Sequence, residues 1–109
     1  MSQNLIMMLT TLPDAPAAQT LAERVLEARL AACVTCLAAA QSTYHWAGKI
    51  ESVSEVPVLF KTSIECADAL EIFIADNHPY DVPEIVRWDA LAAPAYAQWV
   101  AAETNLGTP

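Results

Sequence analysis

Apolar side chains along this chain follow two rhythms, one of about two residues and one of about 3.6, and their alternation predicts the order of elements. Residues 4–11 read as a short strand that is apolar on both faces, with Leu5, Met7 and Leu9 on one side and Ile6 and Met8 on the other. Pro13 and Asp14 end it, and Asp14 can cap a helix begun at residue 15. Over 15–30 the residues Ala18, Leu21, Ala22, Val25 and Ala28 recur at helical spacing, with Glu23, Arg24 and Glu27 opposite. Two extended segments, 33–46 and 49–62, flank Ala47-Gly48, where glycine can supply a positive φ, so the pair reads as a hairpin. Ser63 is placed to cap a second helix over 64–77, with Cys66, Leu70, Phe73 and Ile74 on one stripe. A proline-bounded turn at 78–83 leads to a strand over 84–91. A short helix over 94–103 closes the chain.

The order β-α-β-β-α-β predicts an α+β fold of the ferredoxin-like kind, two helices on one face of an antiparallel sheet, plus a terminal helix. Two helices cover one face only. Yet in the third strand Val56, Val58 and Phe60 point one way while Pro57 and Leu59 point the other. A sheet wet on its second face alternates apolar with polar; this one does not, so other subunits are expected to cover it. A 14-residue arm would reach ~46 Å at ~3.3 Å per residue, so it must bend, break or lie on a neighbour. Pro57 lacks a ladder donor, and a bulge or break of the strand is expected there.

At 109 residues the chain is expected to form one domain over 1–109. Thirteen acidic residues against five basic give a formal charge of −8. Such a surface repels phosphate backbones, and no Lys/Arg cluster offsets it, so no nucleic-acid partner is expected. It attracts cations, as any acidic soluble protein does. No stretch is long enough for a membrane span of ~20 residues, and residues 1–9 carry no basic residue, unlike a signal peptide. The odd set Cys33, Cys36 and Cys66 argues for a reducing compartment; the expected location is cytoplasmic. The first strand–helix turn holds neither Gly nor Arg, as an acylphosphatase-like site would need, and no nucleophile is paired with a base. An enzyme is not expected.

The set Leu30-Ala31-Ala32-Cys33-Val34, Tyr44-His45-Trp46-Ala47-Gly48-Lys49, His78-Pro79-Tyr80-Asp81-Val82-Pro83-Glu84-Ile85 and Tyr96-Ala97-Gln98-Trp99 resembles the CutA family of divalent-cation-tolerance proteins over about residues 5–101. The resemblance implies a homotrimer with PII-like architecture and inward-facing sheets. It also implies a role in tolerance of copper and other divalent metal ions. Asn77 stands where some members carry a second histidine, and Thr10 and Phe73 where cysteines can occur.

Cys33, the cysteine of the Leu-Ala-Ala-Cys motif, is the first candidate for a soft copper ligand, and His78 of the His-Pro-Tyr turn is the second. A buried apolar role for the cysteine and a turn-locking role for the histidine are the alternatives. Cys33 and Cys36 have metal-site spacing, but three apart in a strand they point to opposite faces. Glu55 and Lys61 share a strand face and with Tyr80 and Glu84 could line an inter-subunit cleft or form an interface salt-bridge network. Tyr44, Trp46 and Trp99 are expected at the trimer interface.

Overall fold

The computed structural model describes residues 3–106. Its spine is strand β4 (Lys49–Thr62). The inner half of β4 pairs with β1 (Gln3–Leu12) on one flank, from Leu12 opposite Val56 to Ile6 opposite Thr62. On the other flank it pairs with β2 (Cys33–Cys36), Cys33 lying opposite Lys61. The outer half has a single neighbour, β3 (Ala40–Trp46), from Ala40 opposite Glu55 to Trp46 opposite Lys49. Strand β5 (Val86–Ala92) takes the far flank of β1. The antiparallel order β2-β4-β1-β5 is the ferredoxin-like arrangement, and the expected α+β class is borne out.

Helices α1 (Ala15–Glu27) and α2 (Ala67–Asp76) seal one face. Ile6, Met8 and Leu12 of β1 and Val56, Val58 and Phe60 of β4 pack there against Leu21 and Val25 of α1 and Leu70 and Ile74 of α2. Burying each large side chain contributes about 1.5–3 kcal/mol. Asp14 caps α1 as expected, its Oδ1 accepting the Ala17 N–H at 2.9 Å. Helix α3 (Pro94–Glu103) meets β1 and β4, burying Ala97 and Val100.

The opposite face is apolar, as the two-sided strands required. Met7, Leu9 and Leu59 are half-buried, and Val86 and Trp88 remain 49% and 43% exposed. Trp88 lies opposite Met7 and Val86 opposite Leu9, so these side chains share one surface.

Several boundaries differ from the sequence pattern. Helix α1 stops at Glu27 rather than 30, because Arg29 adopts a positive φ of 58° and the Leu30 carbonyl turns to accept the Thr62 hydroxyl at 2.6 Å. Ser63 does not cap α2; residues 64–66 form a turn first, and the Ser63 hydroxyl lies 3.0 Å from that of Thr104. The segment 33–46 is not one strand, since 37–39 leave the ladder between β2 and β3. Strand β4 is not broken at Pro57, which stays paired with Thr11. The interruption lies in the partner strand, where the three residues 37–39 face only two on β4, Val56 and Pro57. The Pro57 carbonyl accepts the Leu37 N–H at 2.9 Å. Its nitrogen therefore faces the same flank, where the ladder has no further need of a donor.

The hairpin closes through Ala47 and Gly48, with φ of 52° and 78°. Two positive φ values in a two-residue loop match the right-handed twist of the strands.

Candidate functional site

The turn after α2 is pinned to the end of β1 by His78. Its Nε2 lies 2.9 Å from the Thr11 carbonyl and 3.1 Å from the Thr10 hydroxyl. Its Nδ1 accepts the Tyr80 N–H at 3.1 Å. An accepting Nδ1 leaves the proton on Nε2, which donates to the Thr11 carbonyl. Burial pushes the His78 pKa below its ordinary value, against an opposing pull from that hydrogen bond and from the Glu55 charge. The Tyr80 ring packs on the imidazole with centroids 4.9 Å apart.

Fixing that turn makes one wall of a cavity of about 340 Å³ that runs along the arm from its root toward its tip. Tyr80, Asp81, Val82 and Glu84 come from the turn, Thr11 from β1, Glu55 from β4, and Tyr44 and Trp46 from β3. Tyr44 pairs with Glu51 and Trp46 with Lys49, odd-numbered positions of β4 like Glu55, which places both rings on the Glu55 face of the hairpin. Glu55 is only 6% exposed, yet its carboxylate makes no hydrogen bond or ion pair among the described residues. Burial, then the charge of Glu55, pushes the Tyr80 phenol up.

The residues expected to act together divide into two places. Glu55, Tyr80 and Glu84 share the cavity. Lys61 does not line it: six residues along β4 is about 20 Å. There its ammonium donates to the Thr35 hydroxyl at 2.5 Å and lies 3.9 Å from the Cys33 sulfur. Burial pushes the Tyr96 phenol up, helped by the neighbouring Cys33. Cys33 therefore faces the open side of the sheet beside Lys61, Thr35 and Tyr96. Cys36 is exposed and paired with Val58, on the other side of β2.

Cys33 and His78 do not converge within one chain. Cys33 sits opposite Lys61, which pairs with Met7, whereas His78 binds Thr10 and Thr11. Both imidazole nitrogens are already engaged. Among the described residues no group of three His, Cys, Asp or Glu side chains is placed to hold a metal ion. The donors present thus do not form a closed centre of the kind that fixes a metal with four ligands.

Tyr44 and Trp46 line the cavity yet stay 40% and 52% exposed, and Trp99 is 43% exposed beside Tyr96. Sequence reasoning passed over Thr11, Asp81 and Val82. The proline-bounded turn was the available signal, but which side chains it turns inward depends on His78 reaching β1. Among the described residues no helix is long and apolar enough to cross a membrane.

Comparison with known proteins gives consistent matches. The sequence model for the family described as CutA1 divalent ion tolerance protein matches residues 6–103. The divalent-cation tolerance protein CutA of Yersinia pestis (strain Pestoides F) is 47% identical over 83 residues, 76% of this chain and 70% of that protein. The crystal structure of CutA from Xylella fastidiosa superposes with a TM-score of 0.89 at 35% identity, covering 93% of this chain and 98% of that one. CutA1 from Oryza sativa gives 0.90 at 30% identity, covering 97% and 98%.

Proposed function

The chain belongs to the CutA1 divalent ion tolerance family, and from that premise we propose that it works as a PII-like homotrimer that binds copper or another divalent metal ion weakly or transiently. The observation that carries the assembly is the second sheet face, where Met7, Leu9, Leu59, Val86 and Trp88 form one apolar surface that α3 covers only in part, leaving Val86 and Trp88 49% and 43% exposed. Trp99, half-exposed on α3, extends the surface available to a neighbour. Weak binding suits the donors. Cys33 offers a soft sulfur on the open side of the sheet, and His78 would have to surrender a hydrogen bond to coordinate. Each contributes to a separate, incomplete contact.

Titration calorimetry of the reduced protein with copper and with zinc tests this reading. Binding is expected to be lost in Cys33→Ser and reduced in His78→Ala. Heats unchanged in both variants, or no heat above dilution in the wild type, would remove the metal from the proposal.

A second reading is favoured by the shared cavity of Glu55, Tyr80 and Glu84. In it the trimer is a signalling or scaffold protein whose cleft takes a small molecule or a partner. A thermal-shift screen addresses it, since a ligand at 100 times its Kd adds about 2.7 kcal/mol.

A further inference from the structure

The cavity along the arm has an unbalanced chemistry. Three carboxylates, Glu55, Asp81 and Glu84, line it with three aromatic rings, and no Lys or Arg does. Glu55 is nine-tenths buried and aimed into that space with no hydrogen-bond or ion-pair partner among the described residues. Its oxygens keep contact with solvent only through the cavity, and a cation entering there would supply the counter-charge that no residue of the chain gives. The carboxylates are not gathered as metal ligands are. The rings of Tyr44, Trp46 and Tyr80 present faces that attract a diffuse positive charge. A volume of about 340 Å³ suits a small organic molecule.

We propose that this cavity binds an organic cation, a primary ammonium or guanidinium group set against Glu55 and flanked by the aromatic rings. The inference rests on the ligand-cleft reading above and names the class of ligand. Such a group could belong to a free amine or to a lysine of another copy of this chain. Lys49 at the arm tip makes no hydrogen bond or ion pair among the described residues. Arg24, Arg29, Arg87 and Lys61 are already engaged by side chains of their own chain.

The test is calorimetry and tryptophan fluorescence with three probes of similar size: butylammonium, 1-butanol and butyrate. Saturable butylammonium binding is expected, at least tenfold tighter than either other probe and at least tenfold weaker in Glu55→Gln. Circular dichroism checks that the variant is folded. If Glu55→Gln fails to fold, Tyr80→Leu and the ranking of the three probes carry the test. Binding that appears only in Lys49→Ala supports the cation chemistry and identifies a neighbour's lysine as its source. Butanol or butyrate binding as tightly as butylammonium overturns the cation assignment and leaves the cleft reading standing. No binding of any probe, in wild type or Lys49→Ala, removes both.

Discussion

The two faces of the sheet are built from the same strands and differ only in which alternate residues they present. On the helix face Met8, Val58 and Phe60 are completely buried. On the other, their neighbours Met7 and Leu59 are half-buried, and Trp88 is 43% exposed. Hydrophobicity is similar on both; what differs is how much cover this chain supplies, two helices on one face and on the other only α3, beside Cys33 at one end. Apolar character along a strand therefore reports that a face will be buried, without reporting by what. One face is completed by α1 and α2; the other is covered in part by α3 and leaves the rest to the proposed assembly.

Substitutions on the two sides should separate these roles. The largest effect is expected from Phe60→Ala, which opens a cavity in the sealed face and costs about 3–5 kcal/mol in urea unfolding. Leu59→Asp, one residue away, should leave the monomer fold within about 1 kcal/mol but abolish the proposed homotrimer. Light scattering coupled to size exclusion reads the assembly, and circular dichroism reads the fold. A trimer that survives Leu59→Asp would show that this face is not the interface. Asp14→Ala loosens the start of the helix that seals the inner face and should cost about 1 kcal/mol, independent of protein concentration.

The smallest effect concerns pH. His78 titrates below its unfolded value of 6.5, so the unfolded chain takes up the proton first. Its contribution is complete above pH 6.5 and fades as the pH falls through the folded-state value. Protonation at Nδ1 removes the acceptor for the Tyr80 N–H. Urea midpoints at pH 7.5 and 5.5 should differ more for the wild type than for His78→Gln, the wild type losing more at the lower pH. Equal differences would show that His78 does not lock the turn.

Much of this was legible in the residues because strand alternation is a local property. The two faces of β1 and β4 and the opposite facing of Cys33 and Cys36 follow from parity once the strands are identified. Helix α1 was legible from its stripe and its cap. The missing parts depend on contacts distant in sequence. Ser63 has the right chemistry for a cap, but Thr104 lies against its hydroxyl 41 residues later. His78 is an isolated histidine in sequence and a staple between a turn and β1 in space. Leu37, Ala38 and Ala39 carry no residue that marks the end of a strand, and their departure from the ladder is decided by the β4 positions they face.

That three-against-two mismatch has an evolutionary consequence. An extra residue in one strand bends it and tightens its twist while leaving the pairs on either side intact. In an ordinary strand, adding or removing a residue slips every later pair and turns each side chain to the wrong face. Here the slack is confined to a joint, with β2 fixed on one side and β3 on the other. A lineage can therefore lengthen or shorten the chain at 37–39 and change the aim of the arm without rewriting a single pair in either ladder. The direction in which Tyr44 and Trp46 are carried can vary by insertion and deletion, while the pairs of the sheet that carries them stay in place.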